Sequence, residues 1–478
     1  MDNNKLSNYI KQQLQAGKNK EEIKKILVDK GWNEQEVEAN LLKLSNLTSS
    51  KTKIKPLYLR IGLILVVVIA FASFLCFGKK EKQPMPTLPE SRPKPADINN
   101  VVDANNQFAL DFYFHLKNKE NGNIFFSPHS ISSALTMTYE GARGETAQEM
   151  RSLFYFPEDD SLRRTEYAAI IDEINKGDKK YELHTANALW AEKDYQFLDE
   201  YFEIVERHYK GKVANLDFKK KSEEAQITIN NWVEDKTNNR IKELIPSGLI
   251  NALTRLVLTN AIYFKGEWVK QFNEKDTREE DFRISKNNIV KAPMMRRTDD
   301  EARFNYAENN KLQILEMPYS GKELSMLILL PKDDDLEALE SLLSAKKLSE
   351  WKKDLKNKRV KIFIPKFKFE TKYFMADDLK VMGMSTAFKW PGADFSGMDG
   401  TKDLFISEVI HQTFVEVNEE GTEAAAATAV IGEFGAAPGL KLPKKIPVFR
   451  ADHPFIFLIQ ENKTGNILFM GKIINPTM

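Results

Sequence analysis

The sequence predicts an α+β fold with large, partly buried sheets, and three features lead there. Leu324-Ser325-Met326-Leu327-Ile328-Leu329-Leu330-Pro331 is too apolar for an exposed strand and belongs inside a covered sheet. Val360-Lys361-Ile362-Phe363-Ile364-Pro365-Lys366-Phe367 and the β-branched, roughly alternating run Phe405–Val417 also read as strands. Between such strands lie helical stretches. Ser130–Tyr139 is apolar and helical, and the charge run Lys219-Lys220-Lys221-Ser222-Glu223-Glu224 opens a helix through Trp232.

Composition is consistent with this reading. The 478 residues are 42% apolar, enough for one large domain with accessories. Lys+Arg of 70 against Asp+Glu of 69 leaves a net charge of +1, so nothing argues for a nucleic-acid partner. The one cysteine, Cys76, excludes an intramolecular disulfide, so stability rests on packing. The six histidines, His115, His129, His184, His208, His411 and His453, show no pairing at ligand spacing, and neither a metal nor another cofactor is implied.

From the N-terminus, residues 1–48 read as a small all-α module. Leu6, Ile10 and Leu14 recur at i+4 spacing, and Asn19 with Glu22 and Asn33 with Glu36 fit the cap-plus-acid pattern of helix starts. Gly31-Trp32 supplies a stop and an aromatic for a small core. The module is similar to ubiquitin-associated-type folds, and it serves either as a tether domain or as the dock for a cytoplasmic partner.

Residues 57–78 are expected to form one transmembrane helix. The uncharged run 61–78 would reach about 27 Å as a helix, near the roughly 30 Å of hydrocarbon in a bilayer. Arg60 and Lys79-Lys80 flank it, and the residues preceding it disfavour a cleavable signal peptide. Lys51, Lys53, Lys55 and Arg60 face Lys79, Lys80 and Lys82 across the span, a slight positive-inside bias. The expectation is a single-pass cell-membrane protein with a cytoplasmic N-terminus and an extracytoplasmic large domain. Residues 79–99 form a linker whose five prolines between Pro84 and Pro95 make it extended and semi-rigid.

Residues 100–478 hold the large domain, and residues 419–429 carry most of its functional information. Taken locally, Glu419-Glu420-Gly421-Thr422-Glu423-Ala424-Ala425-Ala426-Ala427-Thr428-Ala429 suits a helix start, with Thr422 as N-cap and four alanines behind it. A strand-like run leads straight into it, however, with no strong turn signal before Gly421. If the segment is a strand, Thr422, Ala424, Ala426, Thr428 and Val430 share one face, all small and uncharged, while Glu423 lies on the other.

This hinge resembles that of inhibitory serpins. Three further blocks match the family in order: Asn123-Ile124-Phe125-Phe126-Ser127-Pro128-His129-Ser130-Ile131, Asn260-Ala261-Ile262-Tyr263-Phe264-Lys265-Gly266-Glu267-Trp268, and Phe449-Arg450-Ala451-Asp452-His453-Pro454-Phe455. The resemblance covers nearly four fifths of the chain. It implies a serpin fold, with a large central sheet that accepts a reactive loop, further sheets and about nine helices.

By the same resemblance, a target serine protease attacks the loop, forms an acyl intermediate, and is trapped when the cleaved loop inserts as a new strand. Ser127, Ser130, Asn260 and His411 match the shutter beneath the sheet, and Trp268 and Lys366 match the breach, Lys366 pairing with Glu419. Family spacing implies a scissile bond at Gly435–Ala436, suited to an elastase-like pocket. A loop one residue shorter gives Phe434–Gly435, for a chymotrypsin- or subtilisin-like enzyme. The stretch Ala437–Pro447 is longer than the family pattern, so cleavage after Lys441 or Lys444 by a trypsin-like enzyme stays open. A non-inhibitory serpin acting as a binding or scaffold protein is the alternative. A Ser–His hydrolase comes third, since no Gly-x-Ser-x-Gly elbow is present and proline follows Ser127.

Overall fold

The computed structural model describes residues 24, 27, 37, 98–176, 180–422 and 446–478, and it divides into two compact units, Met1–Leu88 and Pro89–Met478. In the first unit Lys24, Leu27 and Val37 are helical, and Leu27 and Val37 are buried. The remainder of the 1–48 module, the 57–78 span and most of the 79–99 linker lie outside the described residues.

The second unit opens with α1 (Val101–Lys119), capped by Asn100, whose side chain accepts from the Asp103 amide at 2.8 Å. A short strand β1 (Ile124–Phe126) leads into α2 (Pro128–Gly141), followed by α3 (Gly144–Phe154) and α4 (Asp160–Ile174). Then come β2 (Tyr181–Glu192), α5 (Asp199–Tyr209), β3 (Lys212–Leu216), α6 (Ser222–Lys236) and β4 (Leu256–Glu267). Strands β5 (Arg278–Ser285), β6 (Asn288–Arg297), β7 (Arg303–Glu308), β8 (Leu312–Pro318) and β9 (Leu324–Pro331) follow. After α7 (Leu336–Leu342) and α8 (Ala345–Lys353) the chain forms β10 (Lys356–Arg359), β11 (Lys361–Pro365) and β12 (Phe367–Phe374). The last third holds α9 (Ala376–Val381), α10 (Ser396–Asp399), β13 (Ile406–Val417), β14 (Gly421–Thr422), β15 (Val448–Arg450), β16 (Phe455–Glu461) and β17 (Ile467–Ile473).

These strands make three sheets. A six-stranded sheet runs β12-β13-β14-β4-β2-β3, a seven-stranded one β1-β17-β16-β9-β8-β7-β10, and a four-stranded one β15-β11-β6-β5. One core lies between the helices and the six-stranded sheet, with Phe108, Leu135, Leu189 and Leu258 among its members. A second fills the space around Phe264, Phe457, Ile328 and Phe469. Leu324–Pro331 is buried along its whole length, as its uninterrupted apolar run requires.

Helix α2 runs through the interior although half of it is polar. Ser127 caps it and Pro128 begins it, and its inward hydroxyls bond back along the helix, Ser133 to the His129 carbonyl at 2.7 Å and Thr136 to that of Ser132 at 2.6 Å. The charge run at 219–224 leads into α6, which begins at Ser222 and continues past Trp232 to Lys236.

Two expectations change. The stretch 360–367, read as one strand, is divided after Pro365: β11 belongs to the four-stranded sheet and β12 to the six-stranded one. Proline has no amide to donate to a ladder, so the chain leaves one sheet there, and Lys366 sits at the crossing. The single-pass membrane placement is also corrected. Among the described residues no helix is long and apolar enough to cross a bilayer. At 19 residues α1 is long enough, but Asp103, Asp111, Lys117 and Lys119 rule it out.

Candidate functional site

The centre of interest is the seam between β13 and β4. The two strands run parallel and are paired from Ile406 opposite Leu256 to Phe414 opposite Tyr263. Beyond that pairing β14 lies between them, with Thr422 opposite both Val417 of β13 and Gly266 of β4, and Gly421 opposite Glu267. The first two residues after the turn are therefore already strands of the sheet.

The turn is built by Asn418. Its side-chain oxygen accepts from the amides of Glu420 and Gly421, each at 3.1 Å, while its own amide donates to the Gly421 carbonyl at 2.9 Å. A Cβ on Gly421 would fall 2.0 Å from the Gly266 carbonyl oxygen and 2.6 Å from the Glu267 Cα, so only glycine fits beside β4 without moving backbone. Thr422 is buried, and its hydroxyl shares a 2.8 Å hydrogen bond with the Tyr319 hydroxyl. Tyr319 stacks on Trp268, ring centres 4.5 Å apart. Trp268 in turn donates from its indole to the Asn418 carbonyl at 3.0 Å and from its amide to the Glu420 carbonyl at 2.7 Å.

Glu419 anchors the same turn from below. It is only 3% exposed, accepts from the Lys366 ammonium at 2.8 Å and the Thr277 hydroxyl at 2.7 Å, and its carbonyl takes the Phe272 amide at 2.8 Å. Burial pushes its carboxyl up, but the hydrogen bonds from Lys366 and Thr277 outweigh that and hold it below the usual carboxylate range.

Further down the seam, Ser127, Ser130, Asn260 and His411 come together around one buried cluster. The Ser127 amide donates to His411 Nε2 at 3.0 Å, and His411 Nδ1 bonds the Asn260 side-chain oxygen. Asn260 Nδ2 donates to Ser130 Oγ at 2.5 Å and also to Asn187 Oδ1, to which Ser130 Oγ donates at 3.2 Å. The cluster thus ties β13 to β4 and both to the start of α2. Burial lowers the His411 pKa to about 3, so the ring is neutral, accepting at Nε2 and donating at Nδ1.

This arrangement does not assemble a hydrolase. Ser127 Oγ donates to the Leu468 carbonyl at 2.6 Å rather than to His411, and both imidazole nitrogens are occupied by other partners. No ring nitrogen remains to take a proton from a serine.

Asn187, Thr277, Tyr319 and Asn418 belong to this network and were not singled out from the sequence. Asn418 had a signal, since Asn directly after a β run favours a turn; the other three act through strand register and packing. Glu423 through Thr428, the expected scissile residues Phe434, Gly435 and Ala436, and the candidate lysines Lys441 and Lys444 lie outside the described residues.

A family model described as Serpin (serine protease inhibitor) matches residues 103–476. An uncharacterized serpin-like protein of Thermococcus kodakarensis is 42% identical over 435 residues, covering 87% of this chain and 99% of its own. The leukocyte elastase inhibitor of Homo sapiens is 42% identical over 387 residues, covering 79% of this chain and 100% of its own. Among solved structures, uncleaved ovalbumin superimposes with a TM-score of 0.71 at 31% identity, covering 79% of this chain and 100% of the ovalbumin chain.

Proposed function

The chain belongs to the serpin family, and on that premise we propose that it inhibits a serine protease as a suicide substrate. The observation that carries this reading is β14, where Gly421 and Thr422 already ladder between β13 and β4. A strand begun in the seam needs only to be extended. Continued as a strand, the sequence would put Ala424, Ala426, Thr428 and Val430 on the same face as Thr422, and all are small and uncharged. In the proposed sequence of events the protease cuts the loop and becomes acylated. The loop then enters the seam, and the enzyme is carried off with its ester unhydrolysed.

The driving force is large. About a dozen inserted residues would gain ladder hydrogen bonds on both sides, each worth about 1 kcal/mol net. Apolar burial adds to that at roughly 25 cal/mol per Å². Against it stands the cost of parting β13 from β4, including the Asn260–His411 bond.

For the reactive bond we propose Gly435–Ala436, with Phe434–Gly435 as the alternative. Small side chains on either side of the cut suit an elastase-like pocket, and similarity to an elastase inhibitor supports that target class. Residues 1–48 are proposed as a small helical module that serves either as a tether or as the dock for a partner; the helical, buried Leu27 and Val37 support its helical character.

The test is to mix the full-length protein with elastase-, chymotrypsin-, subtilisin- and trypsin-like proteases. An SDS-stable covalent complex is expected with the elastase-like enzyme, together with a released C-terminal peptide whose mass begins at Ala436. Clean cleavage by every enzyme without a complex would refute the inhibitory reading and favour a non-inhibitory serpin.

A further inference from the structure

We propose that Asn121 is a site of spontaneous deamidation, where the chain acquires an isoaspartyl linkage that loosens its own C-terminal tail. Asn121-Gly122 is the one Asn-Gly pair in the 478 residues. It lies in the bend between α1, which ends at Lys119, and β1, which begins at Ile124, and Asn121 is exposed. Among the described residues, neither the Asn121 carboxamide nor the Gly122 amide has a hydrogen-bond partner. Neither reacting group has a bond to the protein that must break first.

Water is the only co-reactant. The Gly122 nitrogen loses its proton and attacks Cγ of Asn121; the Cγ–Nδ2 bond breaks, ammonia leaves with the proton, and a cyclic imide closes. Water then opens the imide at either carbonyl. Opening at Cγ leaves aspartate, whereas opening at the main-chain carbonyl leaves the backbone running through Cγ, an isoaspartyl linkage. Glycine favours the closure because no Cβ hinders the turning of its amide toward the side chain.

Two neighbouring chemistries show what protection looks like. At Asp399-Gly400, the one Asp-Gly pair, the Gly400 amide donates to the Ser396 carbonyl at 3.0 Å. Both Asp399 carboxylate oxygens accept from Thr401, each at 2.8 Å. Asn123 precedes the branched Ile124, and its side chain is fully engaged. Its oxygen accepts from the Ile474 and Asn475 amides at 2.7 and 2.9 Å, and its nitrogen donates to the Asn475 carbonyl at 2.7 Å. Asn121 has none of these restraints.

The bonds of Asn123 give the modification its consequence, because they tie the tail after β17 to the start of β1. On the other side the Glu120 amide, bonded to the Leu116 carbonyl at 2.7 Å, closes the end of α1. Only Asn121 and Gly122 lie between these anchors. An isoaspartyl linkage lengthens the backbone there by one bond, about 1.5 Å. Helix α1 is held by a buried face from Val101 to Leu116, so the added length displaces Asn123 instead, and the Ile474 and Asn475 amides lose their acceptor.

The experiment ages the full-length protein in warm, mildly alkaline buffer and maps acid formation by peptide mass spectrometry. Isoaspartate is read as labelled methyl transferred by an isoaspartyl carboxyl methyltransferase. The label is expected on the fragment containing residue 121 and not on the one containing residues 399–400. Gly122→Ala is expected to slow the conversion about tenfold or more. That variant fits the fold, since a Cβ at 122 would come no nearer than 4.0 Å to Met478 Cε and Gly122 is not a left-handed glycine. If residue 121 keeps its amide while a free peptide of residues 117–126 converts, the fold protects it and the site is overturned. Equal rates in the natural sequence and Gly122→Ala would overturn it as well.

Hydrogen exchange tests the consequence. The Ile474 and Asn475 amides are expected to exchange about threefold or more faster in the aged protein than in the fresh one. No such change is expected in aged Asn121→Gln, or in fresh Asn121→Asp, which adds the charge without the extra backbone bond. Unchanged exchange in converted protein would overturn the link between this bend and the tail. Neither readout involves a protease or loop insertion, so both stand apart from the inhibitory reading.

Discussion

Lys366 and Glu419 meet at 2.8 Å across the top of the six-stranded sheet, joining the crossing between β11 and β12 to the turn that precedes β14. The carboxylate is buried and the ammonium about a third exposed, so the pair is solvated from one side only. Because Glu419 also takes the Thr277 hydroxyl, and its carbonyl the Phe272 amide, the turn is fixed from three directions before the loop begins. What this geometry holds in place is the pair Gly421–Thr422 in the seam.

Replacing Lys366 with Met therefore strands a buried carboxylate with one hydroxyl partner. With the lysine's exposure discounted, the expected loss is about 1–2 kcal/mol. It would be read as a lower unfolding temperature. Trp268 packs on the same turn, so a change in tryptophan emission is expected too, absent in a Trp268→Phe background. An unchanged unfolding temperature and spectrum would mean that the pair holds nothing.

Two substitutions address β14 itself. Gly421→Val puts a Cβ where the β4 backbone already stands, and Thr422→Arg buries an unpaired charge against Tyr319. Either variant is expected to be cleaved normally while forming about tenfold less covalent complex, turning inhibitor into substrate. Gel quantitation of complex against cleaved protein measures it. Undiminished complex formation by both would sink the insertion mechanism.

Much of this was legible from the residues, for reasons that can be named. The uninterrupted apolar run of Leu324–Pro331 has only a sheet interior to go to, and Gly421 and Thr422 are small enough for the crowded position they take beside β4. The contacts of Asn187, Thr277 and Tyr319 were not legible. Asn187 reaches the Asn260 cluster because β2 pairs Asn187 opposite Asn260, and Thr277 reaches Glu419 across 142 positions of sequence. Pairing register and long-range packing leave no local pattern to read. Lys366 pairs with Glu419 from the crossing between two strands and not from inside one, because Pro365 ends the run that contains it.

The Asn260→Ala variant tests the cluster under the seam. It leaves the His411 Nδ1–H without an acceptor in a buried site, at a cost of about 1–3 kcal/mol, and it removes the side-chain tie between β4 and β13. The expected result is a lower unfolding temperature together with faster entry into the sheet of a synthetic peptide matching residues 422–433. Destabilisation without faster entry would make the cluster a packing feature alone.

Two buried histidines, His411 in this cluster and His129 in α2, set a pH dependence. Burial holds His411 down to about 3 and His129 down to about 4, whereas both titrate near 6.5 in an unfolded chain. Between pH 6.5 and 4 the unfolded state therefore binds two protons that the folded state refuses. Stability must fall as pH falls through that window, by up to about 1.4 kcal/mol per pH unit for each ring. Below about pH 4 His129 takes up its proton in the folded state and only His411 still contributes, until about pH 3. Glu419, held below its usual range, adds a loss of the same sign once the pH drops under the ordinary carboxylate value. Denaturant midpoints from pH 7 to pH 4.5 separate these terms, because Glu419 stays charged across most of that interval. His411→Gln, which keeps a polar group in the cluster but cannot titrate, is expected to lose less stability on acidification than the natural sequence. Parallel pH profiles for the two proteins would mean that His411 takes up its proton in the folded state as readily as in the unfolded one.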